Sequence, residues 1–151
     1  MPQDQSDVGR GNEGVNLHGS CVALDEDRGL LILGPSGSGK STLSLTLMAY
    51  GARLVSDDRC DLIRRGETVI ASAPALLSGM IEARGIGLLS ADPLPKARII
   101  GVVDLSEPEE ERLPPLQKTA LIGVTVPLMR RVEGPQFAPG LIQWLKGGRR
   151  A

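Results

Sequence analysis

Eight consecutive residues, Gly34-Pro35-Ser36-Gly37-Ser38-Gly39-Lys40-Ser41, satisfy the spacing G-x-x-x-x-G-K-S/T in full. Each position has a chemical reason. Glycines let the backbone turn tightly, so that successive N–H groups point at phosphate oxygens. Lys40 adds a positive charge at the same oxygens, and the Ser41 hydroxyl can ligate Mg2+. From average residue usage, a chain of this size should carry the pattern by accident well under ~1% of the time. The segment therefore predicts that ATP phosphates and Mg2+ are held here, without saying what is done with them.

Three other groups could do chemistry. Asp57-Asp58 closes the stretch RLVSDD just after the phosphate loop and its helix. An acid at a neighbouring strand end lies close to the metal and γ-phosphate in P-loop folds. Adjacent residues in extended chain point opposite ways, so the two carboxylates should have different jobs, one of them as general base to an acceptor hydroxyl. The alternative is that both are turn residues or helix caps. In IEARGIG, Glu82 and Arg84 are two apart and would share a face of an extended segment. They could meet Mg2+ and phosphate, or form a structural ion pair. His18, the single histidine, could face the phosphates or simply cap an edge.

The elements that must position these residues follow from the hydrophobic pattern. Residues 1–14 are polar and without apolar period, which predicts a disordered lead-in and a single domain over 15–151. Val15–Leu24 and the wholly apolar Leu30–Leu33 read as a hairpin around the turn at Asp25–Gly29, running directly into the phosphate loop. A helix is expected over Ser41–Tyr50, ended by Gly51. Strands are expected at Arg53–Ser56, Cys60–Ile63, Thr68–Ala71, Ile86–Leu89, Arg98–Asp104 and Thr119–Thr125. Short helices are expected at Ala75–Met80 and Pro139–Lys146, with SEPEEERLPP as an exposed acidic loop. Strands outnumber helices. The fold class expected is α/β, a P-loop-containing mixed β-sheet with few helices.

Composition narrows the function classes. Seventeen basic and eighteen acidic residues leave a formal charge of −1, interspersed in sign, so no basic footprint for nucleic acid exists. No apolar run approaches the roughly 18 residues of a membrane span. The opening residues lack a basic start and apolar stretch, which predicts a cytoplasmic protein. Only two cysteines occur, Cys21 and Cys60, outside any CxxC or Cys/His cluster, which argues against a disulfide framework or zinc site. Aromatics are limited to Tyr50, Phe137 and Trp144, so the core must be aliphatic.

Taken in order, His18-Gly19, GPSGSGKS, GARLVSDD and IEARGIG resemble the catalytic domain of the HPr kinase/phosphorylase family over roughly residues 16–125. In that family a His-Gly opens a hairpin before the P-loop, an Asp pair ends the next strand, and a Glu-x-Arg-Gly-x-Gly signature comes later. The resemblance implies an HPr kinase/PEP carboxykinase-like fold, an α/β mixed β-sheet with helices mainly on one side. It implies an ATP- and Mg2+-dependent serine protein kinase acting on the phosphocarrier HPr, within phosphotransferase-system control of carbon and nitrogen metabolism. By motif position Asp57 would be the acid/base group, Lys40 would contact the transferring phosphate, and Ser41 and Glu82 would hold Mg2+. His18 and Arg112 would be active-site residues, and Asp58, Arg84 and Gly85 part of the signatures. Hexameric assembly is implied as well. Thr42 stands where the family usually carries an acidic residue, and RRVEGPQFAPG offers no match to its Pro-Gly-Arg-Asn stretch. The resemblance therefore does not extend to the reverse phosphorylase reaction. Two other functions share the phosphate loop, a small-molecule kinase and a nucleotide-binding regulatory module without turnover. The first should carry a lid, and no segment reads as one.

Overall fold

The computed structural model describes residues 14–151. The expected lead-in lies outside the described residues, apart from Gly14, which belongs to a strand. In chain order the strands are β1 (Gly14–His18), β2 (Ser20–Ala23), β3 (Gly29–Leu33), β4 (Arg53–Ser56), β5 (Arg59–Arg65) and β6 (Thr68–Ser72). They continue as β7 (Met80–Ala83), β8 (Gly87–Ser90), β9 (Lys96–Pro108), β10 (Gln117–Leu121) and β11 (Val124–Arg131). Among the described residues two α-helices accompany them, α1 (Lys40–Ala49) and α2 (Phe137–Gly147).

Nine strands form one mixed sheet along the path β1-β5-β6-β9-β3-β2-β4, with β11 also paired to β9 and β10 paired to β11. The long strand β9 organises it. Its start pairs antiparallel with β6 through Lys96–Arg98, and Ile99–Asp104 then run parallel to β3. Its second half also runs parallel to β11. Hence β9 belongs to two differently oriented halves, and the sheet curls. β7 and β8 form a separate antiparallel hairpin.

Two apolar cores result. The concave side of the curl is filled by Cys21, Leu31, Val55 and Val102 from one half against Cys60, Leu62, Val69 and Ala71 from the other. On the opposite face, Leu30, Ile32, Val103 and Leu105 pack against Leu43 and Leu47 of α1 and Leu141, Ile142 and Leu145 of α2. Both helices thus cover one side of the sheet. Leu43 and Leu47 are four apart, so they share one face of α1. β3 is central and flanked on both faces, which is why GLLIL reads as an unbroken apolar run rather than an alternation.

Several expected elements differ in the structure. The stretch Val15–Leu24 is broken at Gly19, with β1 pairing to β5 and β2 to β3 and β4. A Cβ at Gly19 would meet the Ile32 carbonyl oxygen at 3.0 Å, tighter than an ordinary contact, so a larger residue there would require its neighbours to shift. The helix expected at Ala75–Met80 shrinks to one 3-10 turn over Ala75–Leu77, and Met80 opens β7. Thr119–Thr125 divides into β10 and β11 at a tight turn in which Ile122 has φ +38°. Runs this short carry too little period to separate one strand from two.

Candidate functional site

β3 carries the chain to Gly34, where the phosphate loop begins. Gly34 has φ +150°, and a Cβ there would lie 2.5 Å from Ser38 Oγ, so the loop closes only on glycine. Gly39, at φ +101°, turns the chain into α1 without a side-chain cap. The first-turn N–H groups of that helix therefore have no side-chain partner, the arrangement that receives an anion. Lys40 is 7% exposed, and its Nζ donates to the carbonyl oxygens of Gly34 (2.8 Å) and Pro35 (3.1 Å). An ammonium has three donors, so one remains for a phosphate oxygen.

The two acids that follow β4 have different surroundings. Asp57 is buried at 7% exposure. Its Oδ1 accepts from the Ser41 hydroxyl (2.7 Å) and the Ser20 hydroxyl (3.0 Å), and its Oδ2 from the Glu82 N–H (3.4 Å). Asp58 takes the left-handed conformation, φ +72°, which costs an L-residue about 1–2 kcal/mol and is tolerated best by Asn and Asp. That turn is fixed by Gly19 N–H donating to the Asp58 carbonyl oxygen (3.0 Å) and by Asp58 N–H donating to Ser20 Oγ (3.2 Å). It sends the Asp58 carboxylate outward, 3.1 Å from His18 Nε2, with 68% of its side chain exposed.

A cleft of about 310 Å3 opens over the loop, lined by His18, Ser36, Gly37, Lys40, Ser41, Asp58, Glu82 and Arg84 among others. Glu82 lies in β7 and Arg84 in the turn that follows, so their shared position comes from a hairpin rather than from one extended strand. Asp57 does not line the cleft; it lies behind Ser41. A larger hollow of about 510 Å3 beside β1 and β5 contains no residue of the Gly34–Ser41 loop. Among the described residues no three His, Cys, Asp or Glu side chains form a metal cage. Mg2+ does not require one, since it is usually held by one or two carboxylates, waters and substrate phosphates. Ser41 and Glu82, hard oxygen donors at the edge of the phosphate loop, fit it.

Of the residues singled out in the sequence, the structure brings His18, Lys40, Ser41, Asp58, Glu82 and Arg84 to one cleft. Gly85 falls in the same exposed turn as Arg84. Arg112 is not brought there: it lines a groove with Leu113, Met129 and Trp144 beside α2. Ser20 was missed. It is fully buried and joins both acids through one hydroxyl, and the only signal in the sequence is its place directly after His18-Gly19.

Comparison with known proteins agrees with this geometry. The HPr Serine kinase C-terminal domain family matches residues 12–102. The HPr kinase/phosphorylase of Lactobacillus delbrueckii subsp. bulgaricus is 42% identical over 78 residues, 51% of this chain and 24% of that protein. Its counterpart in Clostridium botulinum is 41% identical over 80 residues, 53% of this chain and 26% of that protein. The chain thus spans about a quarter of the length of these curated relatives. Among solved structures, the Hpr(Ser) kinase/phosphatase from Coxiella burnetii matches with a TM-score of 0.72 at 28% identity, covering 87% of this chain and 93% of that one. The curled mixed sheet with both helices on one face is that fold. With a family match over more than half of its 151 residues, this chain belongs to the HPr serine kinase C-terminal domain family.

Proposed function

We propose that this protein transfers the γ-phosphoryl group of ATP to a serine hydroxyl of an HPr-type phosphocarrier. The observation that carries the reading is the convergence of the phosphate loop, the His18–Asp58 pair and Glu82 on one open cleft. The N–H groups of the loop and Lys40 would hold the phosphates, with Ser41 and Glu82 holding Mg2+, which neutralises charge on the β- and γ-oxygens when bound. Positioning and charge stabilisation would supply most of the rate. Ile86 and Leu88, 78% and 68% exposed on the hairpin that carries Arg84, give a docking protein apolar surface beside the cleft.

Motif position alone assigns the proton acceptor to Asp57. The geometry favours a division of labour instead. A general base must come within hydrogen-bond reach of the acceptor hydroxyl. Asp58 is open to the cleft and oriented by His18, whereas Asp57 is buried and engaged with Ser41 and Ser20. On this reading Asp58 receives the serine proton, and Asp57 orients Ser41.

The reading is tested by incubating the protein with labelled ATP, Mg2+ and purified HPr and mapping the modified residue. Labelled serine is the expected result. No transfer despite bound ATP would favour a regulatory nucleotide-binding module or another acceptor.

A further inference from the structure

A groove of about 430 Å3 runs beside α2 and shares no residue with the charged cleft. Its floor is the stretch of β11 from Leu128 to Arg130. One wall is the side of α2 that carries Gly140, Leu141 and Trp144, and the other is the loop from Glu109 to Pro115. We infer that this groove is a binding site for a small amphipathic anion, an aryl or acyl carboxylate whose apolar body lies along Trp144 and whose head meets Arg112. The inference does not depend on the phosphoryl-transfer reading.

The groove has a fixed shape. Its outer wall is tied at both ends: Glu109 N–H donates to the Arg131 carbonyl oxygen (2.7 Å), and Arg149 Nη2, beyond the end of α2, donates to the Pro114 carbonyl oxygen. Arg149 Nε also donates to the Ala151 oxygen (2.8 Å), and both residues line the groove, so the chain itself closes that end. A hollow closed in this way suits a small molecule, whereas a docking helix or strand needs an open-ended trough or a free sheet edge. Gly140 is a second, independent observation. It sits within α2, where glycine is the least favoured residue after proline. No neighbour demands it there, since an added Cβ would meet nothing within 4 Å. The missing side chain keeps the middle of the groove open.

The lining matches such a ligand. Sites for small molecules are mostly apolar, with a few polar groups that fix orientation. Here Leu113, Met129, Leu141 and Trp144 supply the apolar surface, and Leu113 is 74% exposed for want of a cover. The charged groups are Arg112, Arg130 and Arg149 against a single acid among the described residues, Glu109. Glu109 Oε2 accepts from the Glu111 N–H (3.3 Å) within its own loop. Arg130 is engaged by Gln117 (3.1 Å) and Glu107 (3.7 Å). Arg112 pairs with no carboxylate among the described residues. A guanidinium is a rigid fork that takes a carboxylate through two parallel bonds. At the edge of an apolar hollow, that uncompensated charge favours an anion with an apolar body over a neutral or cationic one.

The test is titration of the full chain with anilinonaphthalene sulfonate, an aryl anion, and with phenylnaphthylamine, the same ring system without the charge. Trp144, the single tryptophan, lies in the groove, so quenching of its emission reports occupancy. A hydrogen bond to a charged group is worth roughly ten- to a hundredfold, so the wild type should bind the sulfonate at least about tenfold more tightly than the amine, at one per chain. Arg112→Gln should erase that difference by weakening the anion alone. Gly140→Phe should abolish binding of both while circular dichroism shows the fold intact. Equal affinity of the wild type for the two ligands, or an unchanged anion affinity in Arg112→Gln, overturns the inference. So does unchanged binding in a folded Gly140→Phe variant. If that variant does not fold, Arg112→Gln, a change on an exposed loop, decides by itself. Sedimentation covers the other occupant: wild-type assemblies that Gly140→Phe dissociates would place a second copy of the chain in the groove and overturn the small-molecule site.

Discussion

The Ser41 hydroxyl donates to Asp57 Oδ1 at 2.7 Å, joining the first turn of α1 to the end of β4. Ser20, at the start of β2, donates to the same oxygen, so three elements meet on one buried carboxylate. Asp58, the next residue, turns away through its left-handed backbone and meets His18. Two adjacent acids are thereby given unlike environments.

The division between them predicts opposite kinetic effects. Asp58→Asn should lower transfer to HPr by at least about 100-fold while ATP affinity stays within severalfold. Asp57→Asn should weaken Mg2+-dependent ATP binding by roughly 10- to 100-fold, the usual effect of removing a group that orients a metal ligand. Steady-state transfer assays and calorimetry on both variants decide it. Should Asp57→Asn abolish transfer with binding intact, and Asp58→Asn remain near wild type, the base would be Asp57.

Ser20→Ala removes a hydroxyl that donates to Asp57 and accepts from Asp58 N–H. The Asp58 N–H is only partly buried, so losing its partner should cost at most about 1–3 kcal/mol, a loss that urea unfolding would measure. Transfer should fall as well, because the Asp58 turn loses one of its two ties. A fully stable variant with wild-type turnover would show that Ser20 positions nothing.

Asp104 accepts from the Ser106 hydroxyl (2.7 Å) and the Ser106 N–H (2.9 Å). The Ser106 hydroxyl bond is the main reason its carboxyl is held below the ordinary value of 3.8; burial opposes it, and the Ser106 N–H and Arg130 add smaller contributions in the same downward direction. A carboxylate with a lowered folded pKa contributes stability above its unfolded pKa and loses that contribution as pH falls through the folded one. Ser106→Ala should therefore be less stable than wild type at pH 7, with the gap closing in strong acid. A gap of the same size at both extremes would mean that the loss has another origin.

Gly101 lies in β9 under Trp144 of α2, and an added Cβ would come within 2.6 Å of Trp144 Cη2. Gly101→Ala should destabilise the fold by about 1–3 kcal/mol, the usual cost of overpacking. Trp144 is the single tryptophan, so its fluorescence reports whether α2 shifts. An unchanged melting temperature and emission spectrum would show that the helix yields at no cost.

Local chemistry decided much of this protein. GPSGSGKS needs only its own glycines, lysine and serine to form a phosphate loop, and the apolar run Leu30–Leu33 with Leu43 and Leu47 places it between a strand and a helix. The order of four motifs was enough to indicate the family, the strand-rich patterning indicated a mixed sheet with few helices, and the placement of helices on one face came with the family resemblance. Tertiary structure decided what depends on contacts distant in sequence. That β1 and β2 part at Gly19, one pairing with β5 and the other with β3 and β4, rests on partners distant in sequence, which no local pattern reports. Which acid faces the cleft is set by Ser20, Gly19 and His18, about forty residues earlier in the chain. Arg112 is implied as an active-site residue only by family resemblance, and its loop places it in the groove beside α2 rather than in the cleft. The physical reason is one of range: backbone turns and helical faces are settled within a few residues, whereas burial and hydrogen-bond partners are settled only when the sheet curls and brings separate strands together.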